Sequence, residues 1–158
     1  MATTYAPVVR RAVRDDAQAI LTLVDALADY EKLDRPTQAA GERLINDLFG
    51  PKPRLDCWLA FLDGYPVGYA FTVETYSSFL ALPTLYLEDL FVLAETRGRK
   101  AGYALFQHVL DDAKRRGCGR LEWTVLDWNQ LAIDFYRRMG AKHMKEWHVY
   151  RITLADGA

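Results

Sequence analysis

At 158 residues and a formal net charge of −1, the chain has the length of one domain with a sizeable core, and it lacks the global basic field that gathers nucleic acid. Half of the residues are apolar, at 51%, with only 10 glycines and 6 prolines, which excludes a disordered or low-complexity polymer. No stretch is long and apolar enough to span a bilayer, and the N-terminus lacks the basic-then-apolar order of a signal peptide, so a soluble cytoplasmic protein without a membrane partner is expected.

The first expected strand is Val8 to Arg14, with Pro7 just ahead of it, where a missing N–H costs little. Asp15 and Asp16 are N-cap candidates for a helix whose apolar face is Ile20, Leu23, Val24, Leu27 and Leu33. Pro36-Thr37 interrupts it. Thr37 can cap a second short helix marked by Leu44, Ile45, Leu48 and Phe49, which Gly50-Pro51 ends. Leu55 to Leu62 and Val67 to Tyr76 read as strands joined by Asp63-Gly64, a strong two-residue hairpin signal. Ser77 to Pro83 reads as a loop before a strand at Leu85 to Val92.

A helix is expected from about Gly98 to Arg116, with Gly117 past its end and Lys114-Arg115-Arg116 complementing its dipole. A strand follows at Arg120 to Leu126. Asn129 caps a helix ending at Met139, just before Gly140, and His143 to Leu154 is expected to be one last strand. The order β-α-α-β-β-β-α-β-α-β gives an α/β (α+β) fold, a mixed sheet with helices on both faces, in a single domain over residues 1–158. Cys57 and Cys118 have neither metal nor redox spacing and are expected to be buried free thiols. His108, His143 and His148 also lack metal spacing, so no metal is expected.

Strand, then Arg97-Gly98-Arg99-Lys100-Ala101-Gly102, then the apolar helical face of Ala104, Leu105, Val109 and Leu110 is an arrangement suited to phosphate. Glycines admit a ligand close to the backbone, and a first helical turn offers unpaired N–H donors. The loop alone supports a basic surface turn equally well. It is neither a Gly-x-Gly-x-x-Gly run nor a Walker sequence, so nicotinamide and nucleoside triphosphate sites are poorly supported.

Leu85–Val92, the Arg-x-x-x-x-Gly run at Arg97–Gly102, and Asp127-Trp128-Asn129-Gln130 with Phe135-Tyr136 and Gly140-Ala141 resemble the GNAT superfamily of N-acetyltransferases. Asp29-Tyr30-Glu31-Lys32-Leu33, Tyr86-Leu87-Glu88-Asp89 and Val125-Leu126-Asp127-Trp128-Asn129-Gln130 look more closely like its spermidine/spermine and thialysine branches. The resemblance runs from about Val8 to Ile152 and implies a GNAT-type, mainly antiparallel sheet. It implies acetyl-CoA as co-substrate and a small cationic amine as acceptor, thialysine- or lysine-like, or a polyamine. The branch preference is thialysine, on Glu31-Lys32-Leu33 and the Asp-Trp-Asn-Gln run.

By resemblance, Glu88 is the water-mediated base and Tyr136 the acid toward the leaving thiolate. Leu85, Leu87, Leu90 and Phe91 around Glu88 argue against a merely solvent-facing carboxylate, whereas Tyr136 beside Phe135 has core packing as its rival role. The backbone of Leu90, Phe91 and Val92 would bind the pantetheine arm like an added strand and polarise the thioester carbonyl. Gly98, Arg99, Lys100, Ala101, Gly102 and Tyr103 would cradle the pyrophosphate with Arg97 nearby, and Asn129 and Ala132 would contact CoA. Lys100 stands where the superfamily has the first glycine of its pair, and at φ < 0 it would still present its N–H. Tyr30, Glu31, Glu88, Asp89 and Glu146 match amine-binding positions, and Trp123 and Trp128 either line the pocket or pack in the core. A homodimer is expected by resemblance. Acetylation of peptide amines, with Ser77–Pro83 standing aside, and a catalytically silent acyl-CoA-binding domain are the alternatives.

Overall fold

The computed structural model describes residues 6–155. Their strands are β1 (Val8–Arg11), β2 (Asp56–Leu62), β3 (Tyr65–Ser77), β4 (Leu82–Val92) and β5 (Arg120–Glu122), and their helices α1 (Ala17–Glu31), α2 (Gln38–Phe49), α3 (Ala101–Arg115) and α4 (Gln130–Arg138). The strands form one sheet in the order β1-β2-β3-β4-β5. Its pairs are antiparallel except β4 with β5, which is parallel. The chain divides into two compact units, Met1–Trp123 and Thr124–Ala158. The first carries the sheet with α1 to α3, and the second carries α4.

Side-chain alternation explains how the sheet carries helices on both faces. Cys57, Leu59, Tyr69, Phe71 and Phe91 share a core with Ile20 and Leu23 of α1 and Leu48 of α2. Trp58 and Gly68, which lie between those positions, face the other way. The Trp58 ring sits 5.6 Å from that of His108 on α3, and a Cβ on Gly68 would lie 3.2 Å from Leu105 Cδ1. Leu105 and Val109 of the expected α3 face are accordingly buried, joined by Phe106, while Ala104 and Leu110 are half-buried.

Local chemistry sets the boundaries. Thr37 caps α2 by accepting from the Ala40 N–H at 3.1 Å. The Asp63-Gly64 turn has φ of 52° and 81°, the type I′ signature, so β2 and β3 meet as a tight hairpin. β1 stops at Arg11 rather than Arg14, because Asp16 accepts from the Val13 N–H at 2.8 Å and Arg14–Asp16 turns as a 3-10 helix into α1. The expected loop Ser77–Pro83 is shorter, confined to the hairpin tip at residues 78–81, because Ser77 pairs with Leu82 and Pro83 with Tyr76. α3 begins at Ala101 instead of Gly98, since Gly98 and Lys100 both have positive φ, which a right-handed helix cannot contain.

Two expected strands differ. β5 ends at Glu122 and not at Leu126; its ladder with β4 closes at Tyr86↔Glu122, two residues before an irregularity in β4. Residues 143–155 carry no strand. Their apolar residues change phase at Val149-Tyr150, so no single face of an extended segment would be apolar throughout. Both cysteines are free, Cys57 buried and Cys118 only half-buried, and burial pushes the Cys57 thiol up to about 12. No helix among the described residues is long and apolar enough to cross a membrane.

Candidate active site

The site grows from one extra residue in β4. Phe71 of β3 pairs with Asp89, and the next residue, Thr72, pairs with Leu87, which leaves Glu88 unmatched as a β-bulge. A one-residue insertion exchanges the faces of a strand. Before the bulge, Leu85 and Leu87 pair with Glu74 and Thr72. Past it, Asp89 and Phe91 pair with Phe71 and Tyr69, so they join the face that α1 and α2 cover. A carboxylate thereby enters an apolar face, and Glu88 is turned outward and exposed. Shielding of Glu88 by Leu85, Leu87, Leu90 and Phe91 is not what the fold provides, since those leucines flank a kinked rather than a regular strand.

Asp89 is half-buried, and its Oδ2 accepts a 2.9 Å hydrogen bond from the Tyr69 hydroxyl. Burial, opposed by that bond and reinforced by the negative charges of Glu88 and Glu31, raises its carboxyl to about 6. Burial foremost, with the Asp89 charge next, pushes the Tyr69 phenol far above its ordinary range, so it remains a donor. Glu31, the last residue of α1, is itself raised by burial. Its neighbour Tyr30 lies 6.1 Å ring to ring from Phe91, and the Arg97 guanidinium stacks 4.7 Å above the Tyr30 ring. Tyr30, Glu31, Glu88, Asp89 and Arg97 thus form one neighbourhood, at the end of α1 and around the bulge.

Beyond the bulge, β4 is paired on one side alone among the described residues: Leu90, Phe91 and Val92 meet Ala70, Tyr69 and Gly68, while β5 has already ended. Gly68 makes this possible, for a Cβ there would stand 2.7 Å from the Phe91 carbonyl oxygen and 2.9 Å from Val92 Cγ2. The open edge leads through the 3-10 turn Ala94–Thr96 to the basic loop. Gly98 has φ of 83° with open space where a Cβ would be. Lys100 is left-handed at φ 66°, so the expectation of φ < 0 is corrected: the chain holds a lysine in a conformation that favours glycine. No side chain of Lys100 caps α3, and the first-turn donors Ala101, Gly102 and Tyr103 have no intrahelical acceptor. Arg99 is drawn 3.5 Å from Asp63 at the β2–β3 turn.

In the second unit, the Asn129 side chain caps α4, accepting from the Ala132 N–H at 3.2 Å. Tyr136 is half-buried, with its ring edge-on to Phe135 at 5.5 Å. Glu146 is exposed in the irregular segment after α4. In the first unit Trp123 packs edge-on against Phe106 of α3 at 5.5 Å, a core contact.

A family model described as the acetyltransferase (GNAT) family matches residues 20–141. The chain belongs to the GNAT acetyltransferase family. Its relatives include a thialysine N-epsilon-acetyltransferase of Bos taurus, 35% identical over 154 residues that cover 90% of each chain. The L-ornithine N5-acetyltransferase NATA1 of Arabidopsis thaliana is 42% identical over 86 residues, 54% of this chain and 38% of that one. Among solved structures, an integron cassette protein from the mobile metagenome of V. cholerae superposes with a TM-score of 0.80 at 24% identity, covering 97% of this chain and 95% of that one, and shares the fold. This acetyltransferase is therefore an acetyl-CoA:amine N-acetyltransferase acting on amines. The residues present fit acetyl-CoA: an unpaired strand edge for an amide-bearing arm, and uncapped helix donors beside Arg97 for phosphates.

Missing from the sequence-level site is Tyr69. Its only trace is alternation, which places it inward, and no spacing rule links it to a carboxylate twenty positions away.

Proposed function

We infer that this acetyltransferase acetylates the side-chain amine of a small cationic amino acid of the thialysine, lysine or ornithine type. The observation that carries the reading is the meeting of Glu31, Glu88 and Asp89 at the β4 bulge beside the strand's open edge. Each carboxylate at contact distance from an ammonium contributes about 1–4 kcal/mol, depending on exposure. Relatives named for thialysine and ornithine, both amino acids with side-chain amines, favour that class over polyamines. Glu146 is a further acid for the amine, and Tyr30 offers a ring face to its methylenes.

When bound, acetyl-CoA supplies an activated acetyl group as a thioester. Leu90, Phe91 and Val92 would hold the pantetheine arm through backbone bonds. The N–H groups from Gly98 to Tyr103 would hold the pyrophosphate with Arg97 near it, and by resemblance Asn129 and Ala132 would contact CoA. An ammonium has a pKa of about 10.4 and must lose a proton before it can attack. One carboxylate of the β4 acid pair receives that proton, and Tyr136 returns one to the departing sulfur. A cytoplasmic homodimer completes the reading, with exposed Phe79 and Leu80 at the hairpin tip and Leu82 at the start of β4 as apolar surface for the contact.

Release of CoA thiol from acetyl-CoA, measured with thialysine, lysine, ornithine, spermidine and a short peptide, tests this. Turnover is expected to be selective for the amino acids. Selectivity for spermidine would move the substrate to polyamines, and selectivity for the peptide to protein amines. Binding of acetyl-CoA without turnover would leave a silent acyl-CoA-binding domain.

Lys100→Gly bears on the loop. It removes left-handed strain of about 1 kcal/mol while adding a comparable unfolded-state entropy, so the melting temperature should stay within ~4 °C. Calorimetric affinity for acetyl-CoA should hold or tighten. A large loss would mean that the ammonium itself contacts a phosphate.

A further inference from the structure

We propose that the proton-accepting carboxylate of the β4 acid pair is Asp89, held in position by Tyr69, and that exposed Glu88 serves as counter-ion to the incoming ammonium. The proposal rests on the amine-acetyltransferase reading and divides the roles within it.

Three observations converge. The bulge at Glu88 sends consecutive carboxylates to different environments, Glu88 to solvent and Asp89 to the covered face. Tyr69 is 0% exposed, and its ring lies 4.7 Å from that of Phe71, so its hydroxyl is a fixed donor. Its 2.9 Å bond engages Oδ2 of Asp89 and orients the carboxyl, leaving Oδ1 to take a proton. The surroundings supply the chemistry. The charged and titratable groups facing Asp89 are Tyr69 from β3, Glu88 from β4, Glu31 from α1 and Cys57 from β2; Arg97 stacks on nearby Tyr30. Burial first, and negative neighbours after it, bring Asp89 to about 6, roughly 100-fold closer to the ammonium in proton affinity than an ordinary aspartate. It remains mostly ionised at neutral pH, as a base must.

The step balances. The ammonium gives one proton to Asp89 Oδ1, directly or through one water, and the freed nitrogen lone pair forms the C–N bond as the C–S bond breaks. The nitrogen's second proton compensates the one delivered to sulfur, and Asp89 returns its own to solvent past Glu88, so each turnover releases one proton.

The test compares pH profiles of kcat/KM for the wild type, Tyr69→Phe and Glu88→Gln, beside a carboxyl-carbon NMR titration of Asp89. The wild-type acid limb should fall with a midpoint near 6, matching the NMR midpoint. Tyr69→Phe keeps the ring, loses the bond that favours the anion, and should move both midpoints up by about one unit, with kcat reduced more than KM is changed. Glu88→Gln should raise KM severalfold and leave the limb nearly in place. A limb unmoved by Tyr69→Phe and abolished by Glu88→Gln, or an Asp89 NMR midpoint near 4, would overturn the proposal while turnover stands. Absence of turnover in the wild type with every amine would instead overturn the reading beneath it.

Discussion

Replacing Asp112 by alanine should cost the fold about 3 kcal/mol, a drop of roughly 6–12 °C in melting temperature. The Asp112 side chain is 1% exposed, near the end of α3, and accepts from Arg116 at 2.9 Å and from Arg115, with Arg11 of β1 3.7 Å away. Arg116 in turn reaches Asp56 of β2 at 2.5 Å and Glu74 of β3 at 3.5 Å. Arg11 pairs with Asp56 at 2.8 Å and lies over the Trp58 ring at 5.0 Å. The end of α3 is thus tied to three strands, to β1 through Asp112 and to β2 and β3 through the Arg116 that Asp112 holds. Removal of one member of a buried pair costs about 3–5 kcal/mol, and the lower end applies because the arginines retain solvent and Asp56. Arg115 is 67% exposed, so Arg115→Ala should change stability by less than ~1 kcal/mol. Chemical denaturation of the two variants checks the contrast. Equal losses would show that the network acts through helix charge rather than through burial of Asp112.

Features that a short stretch of chain specifies were legible in the sequence. Thr37 and Asn129 cap where hydroxyl and amide side chains precede apolar periodicity, and Asp63-Gly64 turns as the dipeptide demands. The basic loop lies between strand and helix as the sequence indicates, yet its conformation departs from the expectation, because the left-handed φ of Lys100 arises from joining the β4 exit to α3 and overrides what lysine prefers. Glu88 and Asp89 both match site positions by resemblance. What separates them is the bulge, and a bulge exists only relative to a partner strand, in this case β3 at Phe71-Thr72. The same holds for Tyr69, an alternating aromatic like its neighbours until register sets its hydroxyl against Asp89. Alternation also misled at the end of the chain, where residues 143–154 offer apolar residues without one continuous face.

Tyr136→Phe should lower kcat by about 10²–10⁴-fold while leaving acetyl-CoA affinity within a few-fold. The tyrosine lies in the last full turn of α4, a helix fixed at its start by the Asn129 cap and followed by Gly140 at φ 86°. Its carbonyl accepts from the Ala141 N–H at 3.0 Å, so the backbone around it is held independently of the phenol. Phenylalanine preserves the edge-on contact with Phe135 and removes only the hydroxyl. A packing role therefore predicts turnover and melting temperature both nearly unchanged, whereas an acid role predicts lost turnover at an unchanged melting temperature. Leaving-group dependence makes the distinction sharper. A CoA analogue with a more acidic thiol departs without help, so its acetyl thioester should restore much of the rate in the variant and little in the wild type. Equal losses with both thioesters, or no loss with either, would remove Tyr136 from the acid role and return the proton on sulfur to solvent.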